Sequence, residues 1–300
     1  MRAAIVHNPG AMRGKIAKKL PYIQRRLSAK FEGCEAYETL PGDQTIGLVE
    51  GLCEKYDTIV AIGGDGTIHF VANGIAKSGK KVKMGVMPYG TVNDVAHNLH
   101  VPKNADKAID IILRGYTLDY DLMYDGKEYM VYTVAGGIFV SSSFSASRKL
   151  KNVWGRLAYI FKGIGSFFAH KSLPLTIKSD GKTYHGKYML CLVLNSYSAA
   201  GMMINGESSL SDGKMEVVLI RRAKKGLFGF FRALFVVART FLFGLKSIKK
   251  CKDVDMLYTS SIKIENHSNT AFTADGEKTN FLNKELTITT QIEMYHGVNF

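Results

Sequence analysis

Three short stretches of this chain gather residue types suited to holding a phosphate. The first, Gly63-Gly64-Asp65-Gly66-Thr67, directly follows the apolar run Thr58-Ile59-Val60-Ala61-Ile62 and opens a helical pattern. Its glycines permit positive φ and close backbone approach. Amides at a helix start face an anion, which the helix dipole also favours. Asp65 would repel that anion, a conflict that a Mg²⁺ between the two would remove. Taken alone, such a turn is more often a tight β–α connection with a capping aspartate. The second stretch, Pro88-Tyr89-Gly90-Thr91-Val92-Asn93-Asp94, follows the apolar run 82–87, and the third, Asn8-Pro9-Gly10-Ala11-Met12-Arg13-Gly14-Lys15, follows Ala3-Ala4-Ile5-Val6. In an open α/β sheet, ligands sit beyond the carboxyl ends of the strands. All three stretches fall there, and three coincidental turns of this composition explain them poorly.

Acids form a second set of candidates. Asp275-Gly276-Glu277 follows the strand signal 270–273 and could supply a general base, although by itself it reads as an Asp-Gly hairpin turn. Ser209-Leu210-Ser211-Asp212-Gly213-Lys214 has the oxygen-rich composition of a hard-cation loop, with another Asp-Gly turn as the plainer alternative. Asp119 and Asp121 flank Tyr120 where the sequence pattern changes, and such acids are usually solvated. The eight histidines form no HExxH or other ligand cluster, and no Cys–His or Ser–His nucleophile has a local signature.

The elements that must carry these residues divide the chain in two. Up to about residue 115, short apolar strands (3–6, 58–62, 82–87) alternate with helical patterns (15–29, 45–55, 68–76, 105–113), which implies a parallel sheet covered by helices. After Tyr116, strand signals follow one another at 117–123, 128–135, 173–179, 185–194, 214–220, 260–266 and 284–294. Asp125-Gly126 and Asp180-Gly181 mark hairpins between such runs. This second half reads as an antiparallel sandwich or barrel, interrupted by helical stretches near 146–169 and 223–247. The expected division is an α/β nucleotide-binding domain over 1–120, a second domain over 121–295, and a tail, 296–300, returning to the first.

With the motifs in this order, the chain resembles the diacylglycerol kinase catalytic-domain superfamily, which includes bacterial soluble lipid kinases and the sphingosine and ceramide kinases. The resemblance rests on Gly63-Gly64-Asp65-Gly66-Thr67, on Pro88-x-Gly90-Thr91-x-Asn93-Asp94-x-Ala96-x-x-Leu99 and on Asp275-Gly276-Glu277. NAD kinases share the first motif but are not expected to carry the second. The resemblance implies a doubly wound, NAD-kinase-like α/β domain joined to a C-terminal antiparallel β-sandwich, with the active cleft between them. It implies ATP contacts by Asn8, Thr39, Gly63, Gly64, Asp65, Gly66, Thr67, Thr91 and Asn93. It further implies Asp275 or Glu277 as the base, the other orienting it, with Asp65 holding a Mg²⁺–phosphate network or itself serving as base. A structural Mg²⁺ would lie on Asp212 and the carbonyls of Ser209 and Lys214, and Asp119 or Asp121 would face the lipid headgroup. Two departures stand out: the family usually continues the first motif with apolar-Asn-Glu, sometimes with His for Asn, and here Ile68-His69-Phe70 loses the acidic position; and Met12 interrupts the usual Asn-Pro-x-Ser-Gly.

The implied activity is transfer of the γ-phosphoryl group of ATP to a lipid hydroxyl, with diacylglycerol as leading acceptor and phosphatidate as product. A sphingoid or isoprenoid lipid, NAD, or a non-catalytic lipid-binding role are the alternatives. Composition agrees with a globular protein: 46% hydrophobic and 22% charged residues exclude a disordered chain or fibre. The formal charge of +14 predicts an anionic partner. Nucleic acid is not favoured, because no helix-turn-helix, zinc-finger or RNA-binding signature accompanies the charge. An anionic membrane surface is the expected partner, through basic, aromatic-bearing helices in which Lys225, Arg232, Arg239 and Lys246 recur every seven residues. No segment reaches the ~20 nearly uncharged residues of a spanning helix, and no export signal opens the chain. Four cysteines without metal or disulfide spacing fit a reducing compartment. The expected location is the cytoplasmic face of the inner membrane, with a homodimer as one oligomeric expectation.

Overall fold

A computed structural model describes residues 1–138, 172–206, 208–222, 227–279 and 281–297. The first half opens with β1 (Ala3–His7), the short turn α1 (Ala11–Gly14), α2 (Ile16–Leu27), β2 (Cys34–Glu38), α3 (Gln44–Leu52), β3 (Thr58–Gly63) and α4 (Asp65–Ser78). It continues with β4 (Lys83–Pro88), α5 (Asp94–Asn98), α6 (Ala105–Arg114) and β5 (Thr117–Tyr124). Strands β2-β1-β3-β4 pair in parallel, with Ala3 opposite Thr58 and Ile59 opposite Met84. Every residue of β1 and β3 is buried, so both faces carry helices and the strands read as unbroken apolar runs. Helix α3 packs on α4, and α2 on α6. Gly74 permits the first contact, because a Cβ there would lie 2.5 Å from that of Val49.

The second half comprises β6 (Tyr129–Met130), β7 (Thr133–Gly137), β8 (Leu173–Ser179), β9 (Lys182–Leu194), β10 (Ser198–Ala199), β11 (Met202–Met203) and β12 (Met215–Arg221). After it come α7 (Leu227–Phe243), a 3₁₀ turn (Leu245–Ile248), β13 (Val254–Thr259), β14 (Ser261–Asn266), β15 (Phe272–Ala274), β16 (Glu277–Thr279) and β17 (Asn283–Tyr295). The long strand β9 belongs to two layers. Its first half pairs with β8, which leads through β14 to β17, while its second half lies between β7 and β12. Cys191, Val193, Val217 and Leu219 face the core between the layers, whereas Leu190, Leu192, Val218 and Ile220 face Val236 and Val237 of α7. Burial on both faces explains the continuous apolar run in β9. The antiparallel β-sandwich joined to an α/β domain is the fold that the sequence motifs imply.

Strand β17 joins the halves. It pairs along most of its length with β5, and Met294 then pairs in parallel with Met84 of β4. His296 and Gly297 donate backbone hydrogen bonds to Tyr116 and Leu99.

Three local differences from the sequence reading have physical causes. No strand is expected over Cys34–Glu38 or Val254–Thr259, yet β2 and β13 form there. Each is an edge strand with one neighbour and incomplete burial, so neither carries a marked apolar run. The single strand expected over 128–135 is split into β6 and β7. The break frees the amides of Val131 and Tyr132 for a side chain described below. The helix expected at 146–169 lies outside the described residues, as does Lys225.

Candidate active site

The carboxyl ends of β1, β2, β3 and β4 bring Asn8, Thr39, the 63–67 turn and the 88–94 loop to one edge of the parallel sheet. Asn8 folds back so that its Oδ1 accepts from the Gly10 amide at 2.8 Å, and the Thr39 amide donates to His7. His7 itself is buried, and burial lowers its pKa. The backbones of the 63–67 and 88–94 turns meet at two glycines: a Cβ on Gly90 would stand 2.4 Å from the Gly64 Cα. Gly63 is equally constrained, since its Cβ would meet Thr67 Oγ1 at 2.3 Å. The glycines are therefore required by close approach, whether or not a phosphate is present.

Asp65 joins the two loops chemically. Its Oδ2 accepts from the Asn93 amide at 2.8 Å and its Oδ1 from the Val95 amide at 3.2 Å. It thus caps α5 rather than its own helix. Asn93 holds a left-handed φ of 62° and is fully buried. Its side chain clamps Gly90, accepting from the amide at 2.7 Å and donating to the carbonyl at 3.0 Å. Asn93 consequently shapes the loop, while exposed Thr91 presents the polar surface. Burial, and then the charge of Asp94, push the Asp65 carboxyl up to about 6. Asp94 is raised by burial as well, against the opposing bonds from Ser198 Oγ (2.7 Å) and the Gly201 amide (2.9 Å).

From the sandwich side comes Asp275. It occupies a tight turn between β15 and β16, with Asp275 at φ 48° and Gly276 at φ 87°. The hairpin reading is therefore right, and the turn also aims a carboxylate. Asp275 Oδ1 accepts from the amides of Tyr132 (3.0 Å) and Thr133 (3.1 Å); its Oδ2 accepts from the Val131 amide (2.7 Å) and His69 Nδ1 (2.8 Å). Burial tends to lower the His69 pKa, but the bond to Asp275 and its charge outweigh it, and the net shift is upward. Burial also holds the Tyr132 phenol far above its usual range.

These groups meet at a cavity of about 320 Å³ between the two halves. Asp65, Thr91, Asp94, Asp275 and Glu277 line one part of it. Ala135, Ile138, Leu190, Leu192 and Phe241 also line it, and the β7–β9 register carries Ile138 and Leu190 away from Thr133, where Asp275 is anchored. A charged end and an apolar end in one cavity suit an amphiphile whose polar head reacts while its chains are buried.

The remaining sequence candidates lie elsewhere. Asp119 is exposed on β5 opposite Glu293. Asp121 is buried, and it accepts from Gln291 Nε2 (2.6 Å) and the Gly213 amide (2.8 Å), so it braces the 209–214 loop. Neither lines the cavity. Asp212 Oδ1 accepts from the Lys214 amide at 3.0 Å and its Oδ2 from the Tyr258 hydroxyl; the Ser209 carbonyl accepts from Ser208. Each Asp212 oxygen thus takes one protein donor. Among the described residues no three His, Cys, Asp or Glu side chains converge in metal-binding geometry. Asp65 beside Asp94 is different. Asp65 is half-buried beside buried Asp94, whose charge raises its proton affinity; such a site suits a hard dication, and Mg²⁺ commonly needs only one or two carboxylates plus substrate phosphates.

Reading by motif alone did not single out Asp94, Tyr132 or His69. Asp94 and His69 sit inside or beside the quoted motifs, and His69 follows Asp65 by four residues, on the same helix face. Tyr132 and the apolar wall carry no local signal.

Comparison with known proteins agrees with this arrangement. The family model described as diacylglycerol kinase catalytic domain matches residues 2–124. The one described as YegS C-terminal NAD kinase beta sandwich-like domain matches residues 133–292. The chain is 32% identical over 235 residues to a diacylglycerol kinase of Staphylococcus carnosus (strain TM300), covering 78% of this chain and 77% of the relative. It is 31% identical over 235 residues to one from Staphylococcus aureus (strain MRSA252), covering 78% and 75%. A solved diacylglycerol kinase structure from Bacillus anthracis str. Sterne aligns with TM-score 0.76 at 18% identity, covering 99% of this chain and 97% of that one. A second structure from the same organism aligns with TM-score 0.81 at 21% identity, covering 99% and 95%. At such identities the structures speak for the fold.

Proposed function

The chain belongs to the diacylglycerol kinase catalytic-domain superfamily, and from that premise we propose that it transfers the γ-phosphoryl group of ATP to the hydroxyl of a diacylglycerol-like lipid, giving a phosphatidate. The observation that carries this reading is the two-ended cavity: carboxylates at one end, an aliphatic and aromatic wall at the other. A nicotinamide nucleotide would find no use for that wall.

In this mechanism the 63–67 and 88–94 loops receive the nucleotide phosphates through backbone amides and Thr91. The acceptor lies along Leu190, Leu192 and Phe241 with its hydroxyl toward the acids. Glu277, at the cavity and with no side-chain hydrogen bond among the described residues, takes the hydroxyl proton. Asp275, whose oxygens accept four hydrogen bonds, fixes the turn that carries Glu277. Mg²⁺, held by Asp65 together with the nucleotide phosphates, would supply neutralisation of phosphate charge.

Access to lipid comes through α7. Phe235, Leu242 and Phe243 are exposed on it, and Met203, 70% exposed, lies near its end, where Leu245 donates to the Ile204 carbonyl. Lys249, Lys250 and Lys252 follow, also exposed. Phe241 of the same helix lines the cavity. An anionic bilayer matches this surface, with about 1 kcal/mol for each cation near it. No helix among the described residues is long and apolar enough to cross a membrane. The domain division at 1–120 and 121–295 and a position at the cytoplasmic membrane face are part of the same proposal.

The test is transfer of label from γ-labelled ATP with Mg²⁺ to diacylglycerol, monoacylglycerol, sphingosine, ceramide, an isoprenoid alcohol and free NAD, the lipids in mixed micelles. Labelled phosphatidate that vanishes with Glu277→Gln supports the reading. Label on NAD, or on no acceptor while ATP still binds, refutes it.

A further inference from the structure

Helix α4 brings two groups to the site, one turn apart. Asp65 at its first position lines the cavity, and His69, four residues on and 9% exposed, reaches across to the sandwich half. Its Nδ1 lies 2.8 Å from Asp275 Oδ2. Asp275 is 4% exposed, and its other three donors are consecutive backbone amides, Val131 to Thr133, at the break between β6 and β7. Of the four donors to Asp275, the imidazole alone comes from the nucleotide-binding half. Asn73, one turn beyond His69, repeats the tie: its Nδ2 donates to the Tyr129 carbonyl at 2.7 Å and its Oδ1 accepts from the Tyr129 amide at 2.9 Å.

We propose that His69 is a positioning residue for phosphoryl transfer, acting through Asp275 to register the Asp275-Gly276-Glu277 turn against Asp65 across the junction between the two halves. This inference rests on the kinase reading above. Geometry supplies the reason. The β15–β16 hairpin is short, three residues on each strand, so the turn depends on side-chain anchors for its place. Removing the imidazole leaves Asp275 anchored only to its own half, and Glu277 then loses its fixed distance to the nucleotide loops. A displacement of about 1 Å at a reacting group costs on the order of a hundredfold in rate. Asparagine could place an amide nitrogen near the position of Nδ1, so the tie requires a donor rather than a titrating ring. The charged groups facing His69 are Asp275, Glu128 and Glu277, and the neutral Asn73 is its neighbour on α4.

The experiment compares wild type, His69→Ala, His69→Asn, Asp275→Asn and the double variant His69→Ala/Asp275→Asn, each as the full chain. It measures kcat and KM for ATP and lipid, ATP affinity by titration, and the His69 imidazole titration by NMR. His69→Ala should lower kcat at least tenfold with ATP affinity within threefold of wild type. His69→Asn should recover most of that loss, which a purely space-filling role would not give. The double variant should be no slower than Asp275→Asn. In wild type the imidazole midpoint should lie above 6.5, and it should fall in Asp275→Asn, where only the charges of Glu128 and Glu277 still oppose burial. A His69→Ala enzyme within twofold of wild type, multiplicative losses in the double variant, or an unmoved midpoint would overturn the inference while leaving the kinase reading intact. A wild type that transfers no label refutes the kinase reading itself, and the inference with it.

Discussion

Replacing Asp65 by asparagine should make the protein more stable above pH 6 while abolishing transfer. Burial and the nearby Asp94 charge raise the Asp65 carboxyl from 3.8 to about 6. An acid with a folded pKa above its unfolded value binds protons more tightly when folded. Its favourable contribution is therefore complete in acid and is lost as pH climbs from about 4 to about 6. At roughly 1.4 kcal/mol per pH unit, that loss is about 3 kcal/mol. Asparagine does not titrate, and like the protonated carboxyl it offers the amides of Asn93 and Val95 one carbonyl oxygen. The variant should thus match wild type near pH 4 and be more stable by about 3 kcal/mol above pH 6. For a chain of this size that is several degrees in Tm at the upper end. Thermal unfolding of both proteins from pH 4 to 8, at low salt and without Mg²⁺ or nucleotide, gives the difference curve. Other raised carboxyls, such as Glu216 at about 7, occur in both proteins and largely cancel. A difference that stays flat between pH 4 and 7 would refute the assignment of strain to Asp65.

Three further outcomes are expected. Gly90→Ala drives a Cβ to 2.4 Å from the Gly64 backbone, which cannot swing aside as a side chain can; we expect about 1–3 kcal/mol of destabilisation and at least a tenfold loss of ATP affinity by titration. Asn93→Ala removes the clamp on Gly90 from a residue at φ 62°, and should cost about 2–3 kcal/mol in denaturant unfolding, of which Asn93→Gly restores only the backbone part. Leu190→Phe narrows the apolar part of the cavity, and should raise KM for long-chain acceptors while leaving ATP affinity unchanged.

Much of this protein is legible in its residues. Local chemistry announces the parallel strands, because burial on both faces demands unbroken apolar runs such as Ile59 to Ile62. It announces the loops too, since glycine, asparagine and aspartate cluster where backbone must turn at a strand end. Edge strands β2 and β13 escape notice because one neighbour and partial burial impose little on composition.

Roles of individual side chains are less legible. By type alone, Asp65 passes as a Mg²⁺ ligand and Asn93 as a nucleotide contact; folding also turns Asp65 onto the start of α5 and Asn93 onto Gly90. That Asp121 braces the 209–214 loop is likewise invisible in its type. The pairing of His69 with Asp275, 206 positions apart, is invisible in any local pattern. Sequence alone determined the two-part architecture, the glycine-rich loops and the acidic turn, because each follows from the conformational needs of adjacent residues. Only the tertiary structure decided which carboxylates share one cavity, which are spent on backbone amides, and that an apolar wall faces them. Those outcomes depend on distances between segments far apart in the chain, which β17 and the paired loops set when the two halves come together.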